Sequence, residues 1–359
     1  MNHLRAVLRK ASHRLSFHPA VKKCGCVPVP RATSVDLCLG ESGAFFKGLV
    51  RCGSAWECPV CMHAIAAGRA EEIKQLLQAH RLAKGAAYML TLTLPHDEGD
   101  ELRPMRRHVA RSWQFVQTGA PWKRLKKKIG FFGTVRALEV TNGAAGWHPH
   151  LHVLLLTRTA LPELLKTELV EFVAARWKKA VTRPNKDNGK LYREPSDEHG
   201  VTLTESHRDD YIAKLGLADE LARGIEKGGR SGSRTPLQIL HDFASAAGSV
   251  AEQRRSAALW TEYALEMHGA RQLTWSKGLQ EAYSIPEQTE LELAATEETE
   301  THVARHSFEL AEWKRLIAPN LQLQRELKKA AVELDDPLQF RARIIELLDA
   351  ARGLPPVPF

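Results

Sequence analysis

The sequence predicts an α+β fold, and three observations carry that prediction. Residues 131–141 and the apolar half of residues 146–156 read as two strands, and the turn formers of residues 142–146 lie between them. Residues 64–83, 102–116 and 161–180 space their apolar side chains at helical intervals. All six cysteines fall between Cys24 and Cys61, which sets a small module apart from the rest.

The 359 residues suffice for one large domain or two smaller ones. The net charge is +9, unevenly placed: residues 286–359 carry 9 Lys/Arg against 14 Asp/Glu. A basic body with an acidic tail implies a polyanionic partner. No apolar run approaches the roughly 18 residues of a membrane span, and residues 1–20 lack the apolar block of a secretory signal. A cytoplasmic protein with no membrane partner is expected.

In chain order, residues 1–23 are a basic arm (Arg5, Arg9, Lys10, Arg14, Lys22, Lys23), suited to phosphate contacts or to a solvated N-terminus. Residues 24–63 hold the cysteines. Cys58-Pro59-Val60-Cys61 has the spacing that lets two thiolates grip one Zn²⁺ from a tight turn. A closed tetrahedral site needs two more ligands. Cys24 and Cys52 are the candidates, with Cys26 and Cys38 in reserve. Four thiolates leave no place for water, so the role is structural.

Helix 64–83 is followed by a strand over residues 87–94, which stops at Pro95 and puts Thr91 and Thr93 on one face. Helix 102–116 is basic. In residues 122–128, Lys123, Arg124, Lys126, Lys127 and Lys128 stand beside Trp122, a composition that suits single-stranded DNA or a solvated helix with a core Trp.

His150 and His152, two apart on a strand, present their imidazoles on one face. If the two strands fold back symmetrically, Glu139 lies opposite His150, giving a two-His, one-carboxylate site for a divalent metal. Beyond helix 161–180, residues 183–196 form a polar loop. Tyr211 and Lys214 are helical neighbours. Thr235 caps a helix with Pro236 at its first position. Residues 260–268 are helical, and 271–279 read as a strand and a turn. Residues 286–301 are an acidic linker, and residues 302–359 form a helical tail. No Gly-x4-Gly-Lys-Ser/Thr loop is present.

Thr91-Leu92-Thr93, the run His148-Pro149-His150-Leu151-His152 and Tyr211-x2-Lys214 occur in the order seen in the rolling-circle plasmid replication initiators of the HUH endonuclease superfamily, which this chain resembles. The segment Cys52 to Cys61 resembles the one that precedes the catalytic domain in one branch of them. The resemblance spans residues 24–280. It implies a central antiparallel sheet flanked by helices over residues 64–285. It also implies that Tyr211 attacks an origin phosphodiester of a plasmid or phage, leaving a 5′-phosphotyrosine and a 3′-OH primer. Mg²⁺ or Mn²⁺ would sit on His150, His152 and Glu139, with His148 as auxiliary ligand or DNA contact. Lys214 would neutralise charge. A host helicase and polymerase would be partners.

Where some relatives place a Glu one turn before the tyrosine, this chain has His207, with Glu205, Asp209 and Asp210 nearby. Tyr192 is the lesser candidate nucleophile. Other HUH enzymes (a relaxase or transposase) and a non-catalytic zinc-dependent DNA-binding regulator are the alternatives. A relaxase usually has its tyrosine ahead of the histidines, and a regulator gives no reason for Glu139, His150, His152 and Tyr211.

Overall fold

The computed structural model describes residues 3–41, 43–205, 232–245, 248–296 and 301–353. Tyr211, Lys214 and His207 lie outside them. The chain divides into two units, one formed by residues 1–65, 243–248 and 288–359, the other by residues 66–242 and 249–287.

The second unit is built on a five-stranded antiparallel sheet in the order β6-β3-β5-β4-β7. The strands are β3 (Ala86–Leu92), β4 (Phe131–Gly143), β5 (Gly146–Thr157), β6 (Val201–Thr204) and β7 (Leu273–Trp275). β4 and β5 form one long hairpin with only Ala144 and Ala145 at its tip. Gly146 takes φ +84°, the left-handed conformation that a side chain would strain. On one sheet face Met89, Val135, Ala137, Leu154 and Leu156 pack against Ala70, Ile73, Leu76 and Leu77 of α3 (Pro59–Leu82). The opposite face buries Leu151, Val153 and Leu155. There α4 (Leu102–Val116) lies against β5 and against α6 (Glu163–Val181). Trp177 of α6 is fully buried and donates its indole N–H to the Thr93 carbonyl at 2.7 Å. The expected antiparallel sheet flanked by helices is therefore present.

The first unit has a three-stranded antiparallel sheet of β1 (Ser34–Gly40), β2 (Gly43–Lys47) and β8 (His302–Glu309), in the order β2-β1-β8. Its core joins Val35, Leu37 and Phe46 to Phe308, Trp313, Leu327 and Ile344. The expected helical C-terminal region is present in residues 302–353, and it shares a core with the N-terminal residues. Its first segment is a strand that completes the N-terminal sheet, and the helices Leu321–Glu333 and Pro337–Arg352 close the same core. Two short neighbouring sheet segments cannot bury both their faces alone, which is why distant chain supplies the cover.

The basic arm is likewise part of the fold. α1 (His3–Leu15) buries Ala6, Leu8 and Ala11. Arg9, 4% exposed, donates to the Gly25 carbonyl at 3.0 Å and to Gln324 Oε1 at 3.1 Å, so it holds the unit together and is not available to phosphates. Within the acidic linker, Thr289 and Glu292 form a reciprocal capping box, and Leu293 and Ala294 are buried.

Phe308 distinguishes a tail from a core segment. Phe308→Ala should lower the unfolding free energy by ~3–5 kcal/mol, the cost of emptying a buried aromatic site. Urea denaturation followed by tryptophan fluorescence measures it, and a loss under ~1 kcal/mol, as for a surface change, contradicts this packing.

Candidate metal centres and nucleic-acid interface

Among the described residues two groups bring potential metal ligands within 4.8 Å of one another: Glu139, His150 and His152, and Cys24, Cys52, Cys58 and Cys61.

The first group is a product of the β4–β5 register, which pairs Glu139 with His150 and Ala137 with His152. Leu154 and Leu156 are sunk in the core, and strand alternation carries His152 and His150 along the same face. Glu139 Oε2 lies 3.1 Å from His150 Nε2 and 2.8 Å from His152 Nε2. Ligands about 2.1 Å from a cation and at right angles to one another stand about 3.0 Å apart, so this donor set fits a small divalent ion. The histidine side chains are 11% and 9% exposed, whereas that of Glu139 is 34% exposed, so the group opens through its carboxylate.

The other ring nitrogens are also held. His152 Nδ1 lies 3.1 Å from Thr91 Oγ1, and His150 Nδ1 lies 3.3 Å from the His148 carbonyl. In the neutral tautomer that donates its Nδ1 proton to those oxygens, each ring would turn an Nε2 lone pair towards the site. Burial alone would push the Glu139 carboxyl up. The hydrogen bonds and positive charge of the two imidazoles outweigh it and hold the carboxyl well below the usual range. Burial pushes His150 down, but Glu139 more than reverses this, so His150 ends above its ordinary value. Without metal the group is thus bridged by protons that a cation would displace.

The sequence reading missed His96. It follows the Thr91-bearing strand, and its Nδ1 lies 2.8 Å from the Ala145 carbonyl at the hairpin tip. Its Nε2 lies 2.8 Å from His148 Nδ1. Four imidazoles, His96, His148, His150 and His152, thereby stand in a row with centroid spacings of 4.9, 5.0 and 4.9 Å. Burial, then the charges of His150 and His96, bring His148 down to about 4. It is a neutral neighbour of the ligand pair.

The cysteine group belongs to the first unit. Cys58 and Cys61 flank the first turn of α3, Cys24 follows α2 (Pro19–Lys23), and Cys52 lies in the loop after β2. The Sγ separations Cys24–Cys61, Cys24–Cys58 and Cys52–Cys61 are 3.5, 3.5 and 3.6 Å. These exceed a disulfide's 2.0 Å or so and approach the roughly 3.8 Å edge of a tetrahedron whose metal–sulfur bonds are 2.3 Å. Hydrogen bonds from the other three thiols pull Cys61 well below the ordinary thiol range, and bonds to the others push Cys52 and Cys58 up. A helix N-terminus favours the thiolate at Cys61 as well.

The knuckle is braced from around. Ser12 Oγ donates to the Glu57 carbonyl at 2.8 Å, and His18 Nδ1 pairs with Glu57 Oε2 at 2.6 Å. Gly53, at φ +63°, has the Leu291 Cα 3.2 Å from where a Cβ would sit, so a larger residue beside Cys52 would be strained and would press on Leu291. The reserve ligands lie elsewhere. Cys38 is on β1, and the Cys26 carbonyl accepts from the Trp313 indole at 2.7 Å.

Of the basic residues near Trp122, Lys123, Arg124, Lys127 and Lys128 are exposed on α5 (Gly119–Lys128) and Lys126 is half-buried. Lys126 lies over the Phe131 ring, and Lys128 pairs with Glu168. Trp122 itself is 4% exposed and packs against Trp113, Phe131 and Phe172, so it anchors the helix and offers no face to a base. Tyr192 is also a core residue. Its hydroxyl accepts from Asn185 Nδ2 at 3.2 Å, and burial pushes the phenol up. No described helix is long and apolar enough to cross a membrane.

A family profile described as "Replication protein" matches residues 49–177. The chain is 28% identical over 297 residues to a protein of Streptomyces lividans named "Protein rep", covering 66% of this chain and 64% of that one. It is 34% identical over 134 residues to a "Neomycin resistance protein" of Streptomyces cyanogenus, covering 30% of this chain and 31% of that one. The chain thus spans less than two thirds of either relative. No solved structure matches.

If the four thiols hold a cation, metal analysis of purified protein should give about one thiolate-bound ion per chain. Cys58→Ser should then lower stability by ~3–5 kcal/mol, since a buried charge cluster loses one of its compensating partners. Thermal unfolding with and without chelator reads this, and a midpoint indifferent to both changes removes the site.

Proposed function

We propose that this chain, whose residues 49–177 match the replication-protein family profile, is a plasmid replication initiator that nicks one origin strand by transferring it to Tyr211. The observation that carries the proposal is the Glu139–His150–His152 group, with its three donors on neighbouring strands and its open side at the carboxylate. Mg²⁺ or Mn²⁺ on those residues would act as a Lewis acid on a non-bridging oxygen of the scissile phosphate. Thr91 and the His148 carbonyl orient the two ligating rings, and His96 braces His148 against the hairpin tip.

In the step itself the Tyr211 phenolic oxygen bonds to phosphorus as the bond from phosphorus to the 3′-oxygen breaks. The phenol proton ends on the departing 3′-hydroxyl. One phosphodiester replaces another, so the step needs no water and no nucleotide cofactor. Lys214 is assigned to the charge that develops on the phosphoryl oxygens.

Tyr211 gains support from the other tyrosines. Of the five in the chain, Tyr88, Tyr192 and Tyr263 are buried, and the Tyr283 hydroxyl bonds His80. The segment that holds Tyr211 leaves the sheet at β6, whose Thr202 faces Thr91, the partner of His152. It returns at Arg234, which bridges Asn142 three residues beyond Glu139. Tyr211 follows Glu205 by six positions in the sequence, a contour length of about 22 Å at most.

Zn²⁺ is the metal assigned to Cys24, Cys52, Cys58 and Cys61, as a closed site without a catalytic position. Lys123, Arg124, Lys126, Lys127 and Lys128 are assigned to the DNA backbone. Unwinding and synthesis are assigned to a host helicase and polymerase, as the resemblance to replication initiators implies.

Tyr211→Phe should abolish the detergent-resistant adduct with a labelled single-stranded origin oligonucleotide and retain binding, whereas Tyr192→Phe should still form it. His150→Ala, His152→Ala and Glu139→Ala should each cut nicking by ~10³-fold, about 4 kcal/mol of barrier, with affinity little changed. An adduct mapped to a peptide lacking Tyr211 would move the nucleophile, and no adduct under Mg²⁺ or Mn²⁺ would remove the nicking reaction.

A further inference from the structure

The sheet face opposite the histidines carries a second feature. Arg136 lies on β4 opposite Val153, and strand alternation sends it to the face away from Glu139. It lines a cavity of about 260 Å³ together with Arg106 of α4, Arg271 and Thr274, above Leu138 and Leu151. No carboxylate belongs to that lining.

The neighbouring arginines of α4 are already matched. Arg103 bonds Glu266 at 2.5 Å, and Arg107 and Arg111 share Asp187 at 3.4 and 2.7 Å. Arg106, Arg136 and Arg271 have no ion pair among the described residues. Arg136 donates to Thr274 Oγ1 at 3.1 Å, and the buried Nε of Arg106 has no hydrogen-bond partner. Three guanidiniums line one concavity with no carboxylate among them, and their forked donors suit an anion. Burial pushes Arg136 and Arg106 below the ordinary guanidinium value; for Arg106 the charges of Arg107 and Arg103 add to this, and those of Glu266 and Asp187 offset part of it.

We propose that the cavity between Arg106, Arg136 and Arg271 binds a phosphoryl group. Resting on the replication reading, its source is a backbone phosphate of the nucleic acid held by this unit. Guanidinium forks suit phosphoryl oxygens, and Thr274 offers a hydroxyl at the same wall. The contact lies on the opposite sheet face from the metal group. It therefore contributes to holding the strand and takes no part in breaking it.

Two measurements on the full chain test this. In the first, inorganic phosphate or pyrophosphate is titrated at constant ionic strength and the thermal midpoint is followed. The wild type should rise by a few degrees at ~100 times the dissociation constant, about 2.7 kcal/mol of linkage. Arg271→Gln, at an exposed position, and Arg106→Gln should each remove most of that rise.

In the second, the anisotropy of a labelled single-stranded oligonucleotide is read across a salt series. Each variant should weaken binding by ~3–10-fold and flatten the log–log salt slope by about 0.7, one phosphate contact to a single strand. A phosphate-dependent rise lost in the variants with an unchanged salt slope would assign the cavity to free phosphate and overturn the nucleic-acid source. A rise absent from the wild type, or equal in wild type and variants, overturns the site. Nicking by the wild type is scored separately. Its absence would refute the initiator reading while the phosphate titration still reports on the cavity.

Discussion

The candidate active site depends on one constraint, the register of the β4–β5 hairpin. Side chains alternate along a strand, so a slip of one residue would turn Glu139 away from His150 and replace Leu154 in the core by a neighbour of the wrong face. Three features pin that register. The hairpin tip is only two residues long, Gly146 takes the left-handed conformation that closes it, and Leu154 and Leu156 are fixed against α3. The apolar half of β5 thus sets the position of the polar half. Aligning two imidazoles and a carboxylate requires no contact of their own, because the core has already determined the face.

The two ligand groups differ in the way their chemistry requires. The thiol group has four donors, three of them fully buried, and is braced by Glu57, His18, Ser12 and the close approach of Gly53 to Leu291. It can stabilise a fold but has no position left for a substrate. The histidine group has three donors and one exposed edge, and its outer nitrogens are fixed by Thr91 and by backbone. Were a cation held there, three donors on a rigid sheet would leave positions on it for a further oxygen ligand.

Most of what could be read from the sequence was local. The strands β3, β4, β5 and β7, helix 102–116, the Thr235–Pro236 helix start and the Glu139–His150 pairing follow from periodicity, turn formers and hairpin symmetry, and the structure contains them. Long-range relations were not readable. β8 has the composition of an ordinary exposed segment, and nothing local says that it pairs with β1 some 270 residues earlier. Arg9 reads as one more charge in a basic arm until Gln324 is brought beside it. Trp122 is compatible with either a base or a core, and only its packing with Phe172 and Phe131 decides. His96 could have been found from the β3–β5 register, which runs Thr91 opposite His152 and so carries residues 95 and 96 towards His148. That register, however, depends on a pairing between strands some sixty residues apart.

The arrangement of charge follows from the same long-range packing. Read along the chain, the protein is a basic body with an acidic tail. In the folded chain residues 1–65, with nine Lys/Arg against three Asp/Glu, share a core with residues 288–359, with nine against thirteen. The first unit is therefore close to balance at +2, and the other +7 lies in the unit that carries the histidine group, α4 and α5. A polyanion is drawn by the unit whose charge is unmatched, because attraction summed over many phosphates follows net local charge and not position in sequence. The positive charge is thus concentrated on the unit that carries Glu139, His150 and His152.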